Sequence, residues 1–107
     1  MLPKKNRVCT KEVNQIFKVG NFLNSPNLTF KYLKNNSQAT KISFIAPKSV
    51  AKLAVERNFL RRRGYSALAK HFKLSPLGTT GIFIFKKYQD DILILENEIK
   101  NILNKIN

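Results

Sequence analysis

The sequence predicts a single-domain α+β sandwich in which helices pack against one mixed sheet. Its 107 residues suit one compact domain, and no repeat, linker or low-complexity segment divides residues 1–107. Hydrophobic residues make up 43% of the chain and eight residues are Phe, which is enough to build a core. Segments with helical spacing and segments with strand-like alternation follow one another in the order α-β-β-α-β-α.

The first half of the chain is predicted to form a short helix followed by two strands. Residues 10–19 place apolar side chains at helical spacing between Thr10, a candidate N-cap, and Gly20, a candidate stop. Residues 28–34 alternate apolar and polar side chains, and residues 41–46 form a second β-favouring run. An Asn and Ser cluster between these runs favours a turn, so we expect the two strands to form a hairpin.

The second half is predicted to contain the longest helix, a buried strand and a closing helix. The long helix extends from about Ala54 to Phe72, a segment without proline. Residues 80–87 form an apolar run that is typical of a buried strand. In the tail, Asp90 and Asp91 precede apolar residues that recur along one helical face, so these acids suit a helix N-terminus. A metal-binding pair is the alternative, and we favour capping.

The charge of the chain predicts a polyanionic partner. Twenty Lys and Arg residues stand against six acidic residues, which gives a formal net charge of +14. Only Glu12 and Glu56 precede residue 89, so the positive charge belongs to the body of the domain. Solubility alone needs a smaller net charge, and membrane binding would favour a basic amphipathic helix or a lipidation signal. We therefore expect a nucleic acid partner, with no membrane and no small-molecule substrate.

Cysteine usage and the N-terminal segment predict a cytoplasmic protein with no built-in metal. Cys9 is the single cysteine, which excludes an intramolecular disulfide, and no Cys and His residues have the spacing of a zinc site. The N-terminal segment lacks the apolar stretch of a signal peptide. No run of residues approaches the roughly 20 apolar residues of a membrane-spanning helix.

The segment from Lys48 to Lys73 carries the strongest functional signal. It contains one acidic residue, Glu56, and arginine dominates at its centre. The planar guanidinium group suits bidentate contact with phosphate and stacking on bases. At about 100° per residue, the helix has a narrow apolar seam and a wide basic surface. The seam consists of Leu60, Gly64, Ala67 and Leu68.

Three residues of this helix depart from a simple basic surface. Phe59 falls on the basic side, where it either stacks on a base or packs against a neighbouring loop. Gly64 lies in the middle of the helix, where glycine costs roughly 1 kcal/mol relative to alanine, so we expect close approach of its backbone to the sheet or to a partner. Tyr65 falls beside Arg61, at the edge of the basic surface.

Two motifs resemble a known family. Residues 54–62, A-V-E-R-N-F-L-R-R, resemble the arginine and asparagine signature of bacterial ribonuclease P proteins, A-V-x-R-N-x-x-(K/R)-R. The opening residues 2–7, followed by Phe17 and Gly20, are similar to the usual start of that family. The resemblance implies an α/β sandwich with the order α-β-β-(β)-α-β-α and a left-handed βαβ crossover through the long helix. It also implies two RNA-binding surfaces.

The resemblance and the charge pattern together identify candidate site residues. The candidates for RNA binding are Lys48, Lys52, Arg57, Asn58, Phe59, Arg61, Arg62 and Arg63. A cleft between the first helix and the sheet is expected to receive the single-stranded 5′ leader of precursor tRNA. The candidates for leader binding are Val13, Phe17, Lys31 and Tyr32, where the last two depend on the register of the first strand. The chain departs from the family at Phe59 and Tyr65, two positions that are usually basic.

The resemblance implies the protein subunit of ribonuclease P, which assists removal of the 5′ leader by a catalytic RNA. The single histidine, His71, is expected to pack or cap rather than act as a base, and no spaced pair of acids precedes the tail. Catalysis is therefore expected in the partner RNA, with Mg²⁺ bound mainly by that RNA as the cofactor. A structural RNA-binding protein of the ribosomal type and a metal-dependent protein nuclease are the alternatives.

Overall fold

The computed structural model describes residues 10–34, 40–72 and 78–106. The predicted opening motif at residues 2–7 and Cys9 lie outside the described residues. The described elements, in chain order, are α1 (Thr10–Val19), β1 (Asn21–Asn24), β2 (Leu28–Lys34), β3 (Lys41–Ile45), α2 (Ala54–Ala69), β4 (Thr79–Phe85) and α3 (Ile92–Lys105). The predicted α+β sandwich is confirmed, and β1 is the additional strand before the long helix.

The four strands form one mixed sheet in the order β1-β2-β4-β3. β1 and β2 form an antiparallel hairpin, β2 also pairs antiparallel with β4, and β3 pairs parallel with β4. The predicted hairpin between the strands at 28–34 and 41–46 is therefore wrong, because β4 lies between them. β4 is buried along almost its whole length, so it occupies a central position with a neighbour on each side. Asn and Ser residues between two strands favour a turn, but they do not determine whether a third strand lies between those two strands in the sheet.

One face of the sheet holds the main core. Phe30, Phe44 and Phe83 from three neighbouring strands stack in a row, with centroids 4.3 Å apart for Phe30 and Phe83 and 5.0 Å apart for Phe44 and Phe83. Helices α2 and α3 pack against each other, and residues of both belong to the same buried cluster as these rings. This face therefore carries most of the apolar area that is removed from water on folding.

The opposite face of the sheet carries α1. Ile16 of α1 and Ile82 of β4 are fully buried but lie outside the main cluster. α1 contacts β2 and β4, the two central strands. A single short helix cannot cover a four-stranded sheet, so part of this face remains open beside α1.

Helix α2 lies between the parallel strands β3 and β4 in the chain, so it forms a βαβ crossover connection. It ends at Ala69, three residues before the predicted end at Phe72. A Cβ atom at Gly64 would lie 2.5 Å from the ring of Phe44, which explains why glycine stands where the helix crosses the sheet. The expected close approach of this backbone to the sheet is confirmed.

Tyr65 is buried, although the helical pattern placed it at the edge of the basic surface. Its hydroxyl oxygen accepts a hydrogen bond from the backbone N–H of Phe44 at 3.3 Å, and the two rings meet edge to face. A long side chain at the edge of the apolar seam can lean toward the core, because an aromatic ring buries a large area there. Tyr65 thus belongs to the core and widens the apolar seam of α2.

Two carboxylates stabilise helix α3, one by capping it and one by linking it to another part of the fold. Asp91 caps its N-terminus and accepts hydrogen bonds from the backbone N–H groups of Leu93 at 2.9 Å and Ile94 at 3.3 Å, which confirms the predicted capping role. Glu98 is buried and accepts hydrogen bonds from the backbone N–H and side-chain amide of Asn27, both at 2.7 Å. The hydroxyl of Ser25 also donates to Glu98. Glu98 therefore holds the turn between β1 and β2 against α3.

Candidate nucleic-acid interface

The first half of α2 and the loop before it form a basic surface, which we call the α2 surface. It consists of Lys48, Lys52, Arg57, Asn58, Phe59, Arg61, Arg62 and Arg63. All are exposed except Arg57, Phe59 and Arg63, which are half-buried. All eight candidate residues for RNA binding therefore lie on α2 or on the loop that precedes it, and none of them is buried.

Arg57 organises the loop at the start of α2. Its Nη1 atom donates hydrogen bonds to the backbone oxygens of Ala51 at 3.1 Å and Lys52 at 2.7 Å. These acceptors are neutral carbonyl groups, so the positive charge of Arg57 is not cancelled. The Nε and Nη2 edge of the guanidinium group carries the other three N–H donors, which is the edge that can bind one phosphate with two parallel hydrogen bonds.

Arg61 and Arg62 extend the positive charge along α2. The Nη2 atom of Arg61 donates a hydrogen bond to the side-chain oxygen of Asn58 on the previous turn. Within residues 10–34, 40–72 and 78–106, none of Arg57, Arg61 and Arg62 forms an ion pair with a carboxylate. The guanidinium groups that the sequence predicted to face a polyanion are therefore not neutralised by described acidic residues.

Phe59 and Arg63, four residues apart on α2, form a cation–π contact. The guanidinium carbon of Arg63 lies 4.8 Å from the centre of the Phe59 ring. Both side chains are half-buried. Phe59 therefore has a cationic partner on its own helix, and the pair places an aromatic ring next to a positive charge.

Glu56, the only acidic residue of α2, has a structural role. A side-chain oxygen of Glu56 accepts a hydrogen bond from the backbone N–H of Leu53 at 3.3 Å, at the N-terminus of the helix. An acceptor at this position satisfies a backbone donor that would otherwise lack an intrahelical partner. Glu56 therefore stabilises the start of α2 and leaves the basic residues beyond it without a described carboxylate partner.

A second surface lies between α1 and the open face of the sheet, and we call it the α1 cleft. It consists of Val13, Phe17 and Lys31. Phe17 is 44% exposed, and the Nζ atom of Lys31 lies 4.7 Å from the centre of its ring. Val13 is half-buried and lies one helical turn before Phe17, so the two side chains share a face of α1.

Tyr32 does not belong to this cleft. Successive side chains of a strand point to opposite faces of the sheet, so Lys31 and Tyr32 cannot both face α1. The Tyr32 ring stacks on Phe30 at 5.5 Å between centroids and packs against the main core. The prediction that Tyr32 lines the cleft is therefore wrong, and Lys31 is the strand residue that faces Phe17.

The sequence did not identify Phe22 as a candidate residue, because its pattern predicts no strand at residues 21–24. This side chain is 61% exposed, and its Cα pairs directly with that of Lys31 in the β1–β2 hairpin. A four-residue strand offers a single period of alternation, which is too little to recognise. The one available signal was an aromatic residue just after the Gly20 helix stop.

The single histidine lies away from both surfaces. His71 follows α2 and is partly buried, with its Nε2 atom 3.8 Å from a carboxylate oxygen of Glu96. Lys70 forms an ion pair with the same oxygen at 3.4 Å. This position agrees with the packing role that the sequence predicted for His71.

The described ranges hold neither a candidate membrane span nor a candidate metal cluster. No helix there is long and apolar enough to cross a membrane. In the same part of the chain, no three His, Cys, Asp or Glu residues lie close enough together to hold a metal ion.

Comparison with known proteins identifies the family of this chain and finds solved structures with a similar fold. A protein-family model described as Ribonuclease P matches residues 2–107. The fold is similar to that of the RNase P protein from Thermotoga maritima, with a TM-score of 0.83, 19% identity and coverage of 94% of this chain and 97% of that chain. It is also similar to the Staphylococcus aureus RNase P protein, with a TM-score of 0.80, 18% identity and 97% of both chains covered. A comparison with curated proteins gave no significant match.

Proposed function

Because this chain belongs to the ribonuclease P protein family, we propose that it binds the catalytic RNA of that ribonucleoprotein and the 5′ leader of precursor tRNA. Family membership makes it an RNA-binding subunit that takes part in tRNA processing. The finer assignment gives the α2 surface to the catalytic RNA and the α1 cleft to the leader. We also place the protein in the cytoplasm, where tRNA precursors are processed in bacteria.

The observation that carries the proposal is the α2 surface, in which three of the four arginines, Arg57, Arg61 and Arg62, form no ion pair with a described carboxylate. Such residues displace counterions from phosphates, and this release supplies much of the affinity for structured RNA. The paired hydrogen bonds of Arg57 to the loop hold its guanidinium group before RNA arrives. A side chain held in its bound orientation loses less conformational entropy on binding.

The α1 cleft has the chemistry of a site for unpaired RNA. An exposed aromatic ring stacks on any base, and a nearby cation binds the phosphate beside that base. Phe17 and Lys31 supply this pair. The contact between them is worth about 0.5–1 kcal/mol at an exposed site, so a nucleotide can displace Lys31 from the ring at low cost.

The contribution of the protein in this proposal is electrostatic and positional. The residues of both surfaces bind and orient RNA, and the catalytic RNA with its bound Mg²⁺ supplies the chemistry of cleavage. Contacts to the leader add affinity that mature tRNA cannot obtain, since mature tRNA no longer has a leader. The protein should therefore make the holoenzyme discriminate substrate from product.

The test is reconstitution with a cognate ribonuclease P RNA at low Mg²⁺ concentration. We expect the protein to promote 5′ processing and to make the holoenzyme bind precursor tRNA more tightly than mature tRNA. Equal affinity for the two would contradict leader binding and favour a structural RNA-binding role of the ribosomal type. Cleavage by the purified protein without RNA would instead support a protein nuclease.

A further inference from the structure

Strand β1 presents an aromatic side chain to solvent at the edge of the sheet. Phe22 is 61% exposed, more than Phe17 at 44%. It lies in the middle of a four-residue edge strand in which only Leu23 is partly buried. Leu23 packs against the main core, so alternation directs Phe22 to the opposite face, the face that carries α1.

Phe22 is the direct cross-strand neighbour of Lys31. Residues opposite each other in an antiparallel pair have Cβ atoms about 4.5–5.5 Å apart and point to the same face. Lys31 in turn reaches the Phe17 ring with its Nζ atom. Lys31 therefore lies between two aromatic side chains on this surface, with Phe17 on one side and Phe22 on the other.

The close junction of α1 and β1 brings the two rings onto one surface. The backbone N–H of Gly20 donates a hydrogen bond to the oxygen of Ile16 at 2.8 Å. A Cβ atom at Gly20 would lie 2.5 Å from that oxygen and 3.1 Å from the backbone oxygen of Tyr32. The absence of a side chain therefore lets the end of α1 lie against β2, directly before the chain enters β1.

We propose that Phe22 is a further contact for the unpaired leader, stacking on the nucleotide next to the one bound by Phe17. Lys31 lies where it can bind the phosphate that joins these two nucleotides. This inference rests on the proposed leader binding at the α1 cleft and extends that site onto the edge strand. The ligand is single-stranded RNA, in which every base offers a flat face for stacking.

Charge favours RNA over a second copy of the chain as the occupant of this surface. The protein carries a formal net charge of +14, so two copies that met through this surface would repel each other. An RNA strand brings phosphates to Lys31 and bases to the two rings. The short edge strand also offers few unpaired backbone groups for pairing with a second sheet.

The experiment measures the affinity of the reconstituted holoenzyme for precursor tRNAs whose leaders are shortened one nucleotide at a time. With a full leader, Phe22→Ala is expected to weaken binding about fivefold or more, the lower range for removal of one stacked base. The difference between Phe22→Ala and the unmodified protein should vanish once the leader is too short to reach β1. Phe22→Tyr keeps a flat ring and should bind as the unmodified protein does.

Two controls separate stacking from fold and from general surface effects. Phe22→Leu keeps apolar bulk on β1 without a flat ring, so it should weaken leader binding while its urea unfolding midpoint stays unchanged. Leu93→Ala removes an apolar side chain that is 71% exposed on α3, and it should leave leader binding unchanged. A Phe22→Leu protein that binds the full leader like the unmodified protein would overturn the inference.

The outcomes also distinguish failure of this inference from failure of the proposed function. If the unmodified holoenzyme binds precursor and mature tRNA equally, the leader-binding function itself fails. If the unmodified holoenzyme discriminates and Phe22→Ala discriminates equally well, only the role of Phe22 fails. A Phe22→Ala change that turns a dimer into a monomer in sedimentation would assign the surface to self-association and overturn the inference.

Discussion

At the scale of single residues, the arginines of α2 are not equivalent. Arg57 is half-buried and donates two hydrogen bonds to the backbone of the preceding loop, whereas Arg62 is exposed. Both occur in the motif that resembles the family signature, and both carry the same charge. Arg57 orders the loop that carries Lys48 and Lys52, and its remaining donors are the ones that the proposed function assigns to a phosphate.

Replacing Arg57 with Ala is expected to lower the free energy of unfolding by about 1 kcal/mol, because the hydrogen bonds to Ala51 and Lys52 are removed. Arg62→Ala removes the same charge from the same helix and should change the free energy of unfolding by less than about 0.5 kcal/mol. Urea denaturation of the two variants measures the difference. Equal values for both variants would contradict the structural role of Arg57.

At the scale of the elements, α3 is stabilised by polar side chains in addition to its buried apolar face. Asp91 caps its first turn, and Glu98 connects it to the turn between β1 and β2. The second link crosses more than 70 positions of sequence. It therefore joins the last helix to the hairpin that carries Phe22 and Lys31, which are the residues proposed to contact the leader.

Asp91→Ala is expected to lower the free energy of unfolding by about 1 kcal/mol, because two backbone N–H groups of α3 lose their acceptor. Asp90→Ala is the matched control, since Asp90 is exposed and the described cap belongs to Asp91 alone. Asp91→Asn retains a capping oxygen and should reduce stability by only a few tenths of a kcal/mol. Circular dichroism during thermal unfolding measures all three variants, and an equal effect of Asp90→Ala would argue against the cap.

At the scale of the whole molecule, the two proposed RNA-binding surfaces belong to helices on opposite faces of the sheet. α2 packs on the face that holds the main core, and α1 packs on the other. The sheet separates the α2 surface from the α1 cleft, so a catalytic RNA and a leader can contact the protein without competing for the same residues. The acidic side chains Asp91, Glu96 and Glu98 are engaged in capping, ion pairs or hydrogen bonds within the fold.

A pair of double variants tests this distribution of charge. Arg61→Ala combined with Arg62→Ala should weaken binding to the catalytic RNA and reduce the slope of log affinity against log salt by about 1 for each phosphate that the protein no longer neutralises. Lys100→Ala combined with Lys105→Ala removes the same charge from exposed positions of α3. The lysine double variant should leave the slope unchanged. An equal change of slope in both double variants would indicate that the net charge of the protein alone attracts the RNA.

Local patterns of residues were sufficient to predict the helices, the cationic surface and the family. Periodic apolar residues are a property of a single segment, so α1, the start of α2 and the tail helix with its Asp91 cap could all be predicted from their own residues. The arginine-rich surface could also be predicted, because charged side chains on a helix face away from its apolar seam.

Only the folded molecule shows the order of the strands and which side chains lie on the same face of the sheet. The insertion of β4 between β2 and β3 depends on burial of its two faces by elements distant in sequence. The pairing of β1 with β2 places Phe22 beside Lys31, and packing of the two sheet faces decides that Tyr32 lies against the core whereas Lys31 lies beside α1. Packing on the sheet also turns Tyr65 into the core. These relations arise from contacts between segments, and no local pattern of residues encodes them.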